Sequence, residues 1–263
     1  MLEINFIVKK SKMKKNKNPG KIGIFVLLII SIIFLTFVYA AQPEGGSLTY
    51  VSNSNKNVTK AEARNDTKGT ITTVNIDAIQ QETKWKAYVG NVTGTLVLKD
   101  ASAYSIYEWT SITDPSGVVY ISRADQVEWA NIKCANTTHI ENEEIYLNHS
   151  TSAGDNIQNT FSYQAHESFW VGDITEITNS SCYSTATYIN NTVQSVTEDS
   201  LYQELLLYDD TNLIFATILE QDVSGYKDDN STTYDFQSIV PDSALPGSTG
   251  QVEYYFYVEI DAE

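Results

Sequence analysis

An acidic loop near the C-terminus, Asp222 to Asp235 with the sequence DVSGYKDDNSTTYD, concentrates carboxylate and amide oxygens. Proteins bind hard cations such as Ca²⁺ through such oxygens, so the loop suggests a structural calcium site made by Asp222, Asp228 and Asp229. The Asp209-Asp210 pair, in a neighbouring predicted turn, could lie close to it. The acidic residues lack the regular spacing of an EF-hand loop, and a chain this acidic also produces such clusters without a ligand. Calcium is the one cofactor that the sequence suggests.

The chain has two cysteines, Cys134 and Cys182. In an oxidising compartment an even pair more often forms a disulfide than a metal site, and two thiolates alone cannot complete a tetrahedral zinc shell. We therefore predict a disulfide, which stabilises the fold by roughly 4 kcal/mol because it closes a long loop. The alternative is a pair of buried free thiols.

Acceptor triplets for N-linked sugars, Asn-x-Ser/Thr, occur eight times, about twice as often as the composition predicts. The alternative explanation is that Asn, Ser and Thr are simply common in β-turns. Because every triplet lies on one side of the apolar segment described below, we predict glycosylation at several of them. The acceptor residues are Asn57, Asn65, Asn91, Asn136, Asn148, Asn179, Asn190 and Asn230.

Catalytic motifs are incomplete. His166-Glu167 begins like the helix of a zinc protease but lacks the second histidine, and Gly247–Gly250 is too short for a nucleophile elbow. The chain's histidines, which include His139 and His149, could meet in space, but scattered histidines more often satisfy local hydrogen bonds. Nothing selects a pair of carboxylates for glycosidase chemistry. The sequence predicts a protein that is not an enzyme.

The location of these residues depends on an uncharged run of twenty residues, 22–41, with the sequence IGIFVLLIISIIFLTFVYAA. A helix of that length covers the roughly 30 Å hydrocarbon core of a bilayer. Seven of the 17 basic residues precede it, and a basic flank of this kind stays in the cytoplasm. The sequence therefore predicts a basic cytoplasmic leader at 1–21, a transmembrane or signal segment at 22–41, and an exported remainder.

Processing of the leader has three alternatives. The apolar run is long enough for a retained anchor, yet Val38-Tyr39-Ala40 has the small residues that a signal peptidase accepts, so cleavage near Ala40 would release the protein. Prepilin-type cleavage after Gly20 is the least favoured, because Lys21 would open the mature helix. Translation could begin at Met1 or at Met13.

The exported part, 42–263, carries 10 positive and 32 negative residues, a net charge of −22. Such a surface repels nucleic acid phosphates and attracts cations or basic partners. We therefore expect the membrane, other copies of the chain or other envelope proteins as partners, and no nucleic acid.

The exported part divides into a polar stalk, 42–69, and a β domain, 70–263. The stalk is too poor in apolar residues to fold alone, although Leu48–Val51 could form a short strand. From Thr70 onwards, alternating β-branched and aromatic residues predict an all-β domain, a single β-sandwich or jelly roll braced by a disulfide between its sheets. The four tryptophans are predicted to anchor its core: Trp85, Trp109, Trp129 and Trp170.

Local patterns predict three hairpins and two short helical stretches. In WKAYVGNVTGTLVL (Trp85–Leu98), we favour one strand bent at its glycines over a turn at Gly90-Asn91, because the alternation keeps its phase. Helical turns are expected at Ala124–Ile132 and His139–Asn148, the second being equally readable as a strand. The hairpins pair Ser102–Ile112 with Val118–Arg123, Glu204–Tyr208 with Leu213–Leu219, and Thr232–Val240 with the closing strand VEYYFYVEI.

Several stretches resemble a group of archaeal cell-surface proteins that have an N-terminal membrane segment. They are AAQPEG after the apolar run, WKAYVGNVTGTLVLKDAS followed by YEW, VEWANIKC, and the terminal YDFQSIVP and YYFYVEI, in this order. The resemblance implies an envelope-exposed, β-rich glycoprotein and carries over no functional residue.

The sequence thus favours a cell-surface glycoprotein with a structural or adhesive role in the envelope. A first alternative is a filament subunit, in which strands add between copies and Leu48–Val51 donates to a neighbour's open edge. A second alternative is an extracellular carbohydrate-binding domain that uses exposed Tyr and Trp side chains.

Overall fold

A computed structural model describes residues 42–112, 116–172, 174–227, 231–245 and 252–261. The chain divides into two units, Met1–Ala40 and Ala41–Glu263, and the described residues belong to the second. The predicted leader, the apolar segment and its processing sites lie outside them. Among the described residues no helix has the length and apolarity needed to cross a membrane.

The described part is rich in antiparallel β-structure, which confirms the predicted all-β class. It contains two α-helices, α1 (Thr137–Tyr146) and α2 (Ile157–Thr160), and a 3₁₀ turn at Trp129–Asn131. The strands are β1 (Glu44–Gly45), β2 (Trp85–Gly90), β3 (Gly94–Lys99), β4 (Ser105–Ile112), β5 (Ser116–Ser122), β6 (Lys133–Cys134), β7 (Phe169–Val171), β8 (Thr175–Ile177), β9 (Ser184–Ala186), β10 (Gln203–Tyr208), β11 (Leu213–Ile218), β12 (Val223–Ser224), β13 (Thr233–Tyr234), β14 (Phe236–Pro241) and β15 (Tyr255–Asp261).

The main sheet has seven strands in the order β1-β15-β5-β11-β10-β6, with β9 also paired to β10. Strands β6 and β9 lie along the same edge of β10: β6 pairs with Leu207 and Tyr208, and β9 pairs with Gln203 to Leu205. Smaller ribbons are formed by β2 with β14, β3 with β4, β7 with β8, and β12 with β13.

The central strands of this sheet are buried on both faces. On one face, Ile121, Leu206 and Phe215 pack with residues of both helices and of the β2–β14 ribbon. On the other face, Tyr120 and Leu207 belong to a second cluster that includes residues of the 3₁₀ turn and the β7–β8 ribbon. Strands β5, β10 and β11 therefore read as nearly continuous apolar runs (GVVYI, ELLLY and LIFATI), since a strand covered on both sides needs no polar face.

Helix α1 settles the ambiguous stretch after Asn136 in favour of a helix. The Asn136 side chain accepts from the backbone N–H of His139, and the His139 side chain accepts from the Asn136 N–H, which together form a capping box. The other predicted helical stretch, Ala124–Ile132, forms only the 3₁₀ turn.

One of the three predicted hairpins is confirmed. Strands β10 and β11 pair from Glu204 with Thr217 to Tyr208 with Leu213, around the predicted turn. The other two are wrong: β4 pairs with β3 while β5 pairs with β11 and β15, and β14 pairs with β2 while β15 pairs with β5. Alternation marks a strand but does not choose its partner: β4 pairs with the strand before it, whereas the partners of β5, β14 and β15 are distant in sequence.

The stretch from Trp85 to Leu98 forms two strands in different ribbons, so neither the hairpin nor the single bent strand is observed. Residues 91–93 separate β2 from β3, and the Val92 N–H donates to the Asp235 carboxylate at 2.6 Å. Gly94 begins β3 against Ile260, whose Cδ1 would lie 2.3 Å from a Cβ at this position. A larger residue at position 94 would therefore require the end of the Ile260 side chain to move.

Residues 47–81, here called the exposed segment, form no helix or strand. Both predictions made for it, a strand at Leu48–Val51 and strands from Thr70 onwards, fail over this range. Its ends are attached to the domain: the Gly46 N–H donates to Phe256 O at 3.3 Å, and the Thr83 N–H donates to the Asp155 carboxylate at 2.9 Å. The predicted stalk therefore starts in the main sheet, where β1 pairs with β15.

Tryptophans contribute unequally to the core. Trp129 is buried, and Trp85 packs against Phe161 with 6.4 Å between ring centroids. Trp170 is 51% exposed, so the prediction that it anchors the core is wrong. Trp109 lies in β4, and its side chain is outside the described part.

Candidate functional site

The predicted disulfide is present and joins Cys134 to Cys182. Cys134 lies in β6, and Cys182 precedes β9, so the bond links the two short strands that share one edge of β10. The disulfide therefore braces one sheet, and the expectation of a brace between two sheets is wrong. β6 forms two residue pairs with β10, and β9 forms three. Because so few backbone hydrogen bonds hold these short strands, the disulfide helps to keep both of them at the edge of β10.

His166 holds the loop that carries Cys182. Its Nδ1 donates to Glu167 O at 2.6 Å, and its Nε2 accepts from the N–H groups of Ser181 (3.0 Å) and Cys182 (2.9 Å). A ring that accepts at one nitrogen is neutral. Burial lowers the pKa of His166, which keeps that form dominant at neutral pH. The histidine of the partial zinc-protease motif therefore has a structural role: it holds the loop around Cys182.

The other two histidines have different partners. His139 stacks on Tyr208 with 3.6 Å between ring centroids, and burial and the nearby Lys133 lower its pKa. His149 Nε2 bonds Asp242 O at 2.6 Å. Among the described residues no group of three or more His, Cys, Asp or Glu side chains could hold a metal ion.

The acidic loop is only partly described, since Asp228 and Asp229 lie outside the described residues. Asp222 is exposed, and its Oδ1 accepts from the Thr233 hydroxyl at 3.2 Å. Asp235 is buried and accepts backbone N–H groups, including that of Asp222 at 3.4 Å. The calcium site therefore stays a prediction with one described ligand, Asp222.

Asp209 forms hydrogen bonds within the β10–β11 turn, and Asp210 forms an ion pair with a residue of the edge strand β6. Asp209 Oδ1 accepts the N–H groups of Thr211 (2.9 Å) and Asn212 (2.6 Å), which closes the β10–β11 hairpin as an Asx turn. Asp210 forms an ion pair with Lys133. Both carboxylates already have partners that explain their positions.

Glu204, which the sequence analysis did not single out, is a buried carboxyl with a strongly raised pKa. It is fully buried on β10 and accepts the N–H of Ile239 at 3.0 Å and the hydroxyl of Ser238, so it joins the main sheet to β14. Burial raises its pKa to about 8, so the carboxyl is mostly protonated at neutral pH. The one available signal was an acidic residue inside the apolar run QELLLY.

Glu259 on β15 is a second buried carboxyl missed at the sequence level. It accepts the Tyr120 hydroxyl at 2.9 Å and the Gly172 N–H at 2.7 Å. It therefore connects β15 and β5 to the end of the β7 strand. Both buried glutamates link structural elements, which is a fold-stabilising role.

Six of the eight acceptor asparagines are exposed. Asn190 is partly buried, and its Oδ1 is buried without a hydrogen-bond partner among the described groups. Asn230 lies outside the described residues. A sugar is attached at Nδ2, and the cap at Asn136 uses Oδ1, so capping and glycosylation are compatible there. The exposed acceptors are Asn57, Asn65, Asn91, Asn136, Asn148 and Asn179.

Two exposed apolar surfaces stand out in the described part. The exposed segment presents large apolar side chains to solvent along its length: Leu48, Tyr50, Val51, Val58, Ile71, Val74, Ile76 and Ile79. The β3–β4 ribbon and the turn between its strands present four more, Leu98, Tyr104, Ile106 and Tyr107. Clusters of exposed apolar side chains mark interaction surfaces more often than isolated ones do.

Comparisons of the chain with protein-family models, curated proteins and solved structures found no match.

Proposed function

We propose that this chain is a non-enzymatic glycoprotein of an archaeal cell surface, with a structural or adhesive role in the envelope. The observation that carries the proposal is the exposure of six acceptor asparagines on a disulfide-bonded domain. Glycosyltransferases reach only accessible asparagines, and disulfides persist in oxidising compartments. The predicted apolar segment at 22–41 attaches the domain to the membrane, or a signal peptidase releases it near Ala40.

A sandwich-like architecture fits this role, and we propose it for the domain. The β2–β14 ribbon packs on one face of the main sheet, with Tyr88 against Phe256 in an edge-to-face contact of 4.9 Å between ring centroids. The β7–β8 ribbon and the 3₁₀ turn cover the opposite face. A domain of this kind presents its loops and sugars to the surroundings of the cell.

The mass and N-terminus of the protein purified from its native cells test this proposal. We expect excess mass from sugars on peptides that contain exposed acceptors such as Asn91 and Asn148, and an unmodified Asn190. An intact N-terminus indicates an anchor, one at Ala41 indicates release, and one at Lys21 indicates prepilin-type cleavage. A protein without sugars that fractionates with the cytoplasm would refute the proposal.

A carbohydrate-binding function is a second candidate, favoured by the half-exposed indole of Trp170. Aromatic faces of this kind stack on sugar rings. Glycan-array binding that is lost in Trp170→Ala, and retained in a matched Tyr163→Ala variant, would support it. Tyr163 is also 51% exposed, so the control removes a comparable aromatic surface. An array without signal would count against it.

A further inference from the structure

We propose that residues 70–80 of one copy bind, as an added β-strand, to the β3–β4 ribbon of a second copy of this chain. The inference names a partner for the envelope role and therefore rests on the proposed function. Its parts are the donor segment 70–80, the acceptor ribbon, and the charge that favours their association.

The donor has strand-forming residues but no strand. Its sequence, TITTVNIDAIQ, contains seven β-branched residues among eleven, and Thr72, Val74 and Ile76 alternate onto one side of an extended chain. In the structure Ile76 is 86% and Ile79 is 88% exposed. In the described part of the chain, the side-chain hydrogen bonds of the exposed segment join its own residues, Arg64 with Asp66 and Thr67 with Thr70. The residues of this segment favour a β-strand, yet the segment forms none. Such a conflict between sequence preference and structure is expected at functional sites, including sites that bind a partner.

The acceptor is a two-stranded ribbon with exposed apolar side chains among its described residues. Ile106 in β4 is 79% exposed and Leu98 in β3 is 53% exposed, while Tyr104, just before β4, is 74% exposed. A two-stranded ribbon is marginally stable alone, and a third strand supplies both backbone hydrogen bonds and apolar cover. The donor contains no acceptor triplet, and none occurs between Asn91 and Asn136, so sugars would leave both surfaces accessible.

Charge favours a second copy as the occupant. Residues 47–69 contain four basic residues (Lys56, Lys60, Arg64 and Lys68) and two acidic ones (Glu62 and Asp66), a net charge of +2. Residues 70–263 contain 6 basic and 29 acidic residues, a net charge of −23. All four basic side chains are exposed in the single chain. Residues 47–69, which adjoin the donor, are thus the basic part of a strongly acidic protein, and the body of another copy is a complementary surface.

Donor and acceptor are different surfaces of the same chain, so the contact is heterologous and copies add head to tail. This arrangement gives the experiment its logic. A variant without a working donor still has an acceptor, and a variant without a working acceptor still has a donor. Mixing the two restores one contact per pair and no more.

Sedimentation velocity of the purified full-length protein in mild detergent tests the inference. The variants are Ile76→Asn in the donor and Ile106→Asn in the acceptor. Ile145→Asn is the matched control, because Ile145 is 69% exposed on α1, away from both sequences. All three positions are exposed, so the variants keep the fold, which circular dichroism and the urea midpoint check.

We expect the wild type and the control to form oligomers that grow with concentration, and each test variant to associate about tenfold more weakly. An equimolar mixture of the two test variants should form pairs without longer chains. Raising NaCl from about 0.1 M to about 0.5 M should weaken wild-type association several-fold, because salt screens the basic segment.

Association of Ile76→Asn at wild-type strength would overturn the inference, as would a wild type that stays monomeric at the highest soluble concentration. A monomeric protein that carries sugars and is exported would refute strand addition alone. A cytoplasmic, sugar-free protein that self-associates would refute the envelope role alone.

Discussion

The buried carboxyl of Glu204 should make the protein less stable as the pH rises. Its pKa in the folded state is about 8, above the ordinary 4.5, so the folded protein holds a proton there that the unfolded chain releases. The free energy of unfolding contributed by this group is fully present below pH 4.5 and is lost as the pH rises through 8. At pH 7 the loss is about 2.5 pH units at roughly 1.4 kcal/mol each, or about 3 kcal/mol.

Glu204→Gln should remove this dependence, because the amide has the shape of the protonated acid. Its Oε1 can accept the Ile239 N–H, and its NH₂ group can donate to the Ser238 hydroxyl. We expect the free energy of unfolding of the variant, relative to the wild type, to increase by about 3 kcal/mol between pH 4 and pH 7. Urea titrations followed by the fluorescence of the tryptophans, including buried Trp129, measure this difference.

The controls separate charge from shape. Glu176→Gln makes the same change at an exposed position of β8 and is the matched control. Glu204→Leu leaves the Ser238 hydroxyl and Ile239 N–H buried without their acceptor, which should cost about 1–3 kcal/mol per group. A pH-independent difference between Glu204→Gln and the wild type would refute the reasoning, because it would mean that the carboxyl ionises as readily when folded as when unfolded.

Three further predictions concern the disulfide, His166, and the hydrogen bond by which Asp155 clamps the chain at Thr83. Replacing Cys134 and Cys182 together by Ser should lower the free energy of unfolding by about 4 kcal/mol in non-reducing urea titrations, and an unchanged value would contradict the brace. The His166 ring should titrate below 6.5 in NMR spectra, and its contribution to stability should be lost as the pH falls below 6.5; titration above that value would contradict the neutral ring. Asp155→Ala should cost roughly 1 kcal/mol and speed proteolysis within 47–81, since the carboxylate accepts the Thr83 N–H. Backbone hydrogen bonds outweigh the effect of burial and lower the pKa of Asp155, so this clamp should weaken as the pH falls through that pKa.

The predictions that held depend on short-range signals. The β10–β11 hairpin was predictable because its two strands flank a four-residue polar turn, and the disulfide was predictable because two cysteines leave one pairing. The pairing of β5 with β15 was not, because β5 is buried on both faces and shows no alternation that fixes its register, and the two strands lie far apart in sequence.

The exposed segment and Glu204 show where local patterns fail. Residues 70–80 have the composition of a strand, but a strand forms only where an edge is available to pair with it. Glu204 looks like a surface charge in the sequence, and only the approach of β14 shows that its carboxyl is enclosed. Both failures concern contacts that are made at long range, which a single sequence does not encode in its local spacing.

The short β1 strand has a mechanical consequence if the N-terminus is tethered. A force that pulls on residues before 42 reaches the domain first at β1, which pairs with β15 through only Glu44 and Gly45. These few hydrogen bonds would open one after another, at low load. The load would then straighten the segment up to the Asp155 clamp at Thr83, a stretch whose fully extended length is about 120 Å. The other strands of the main sheet would keep their pairing meanwhile, so this segment would act as an extensible linker between the tether and the domain.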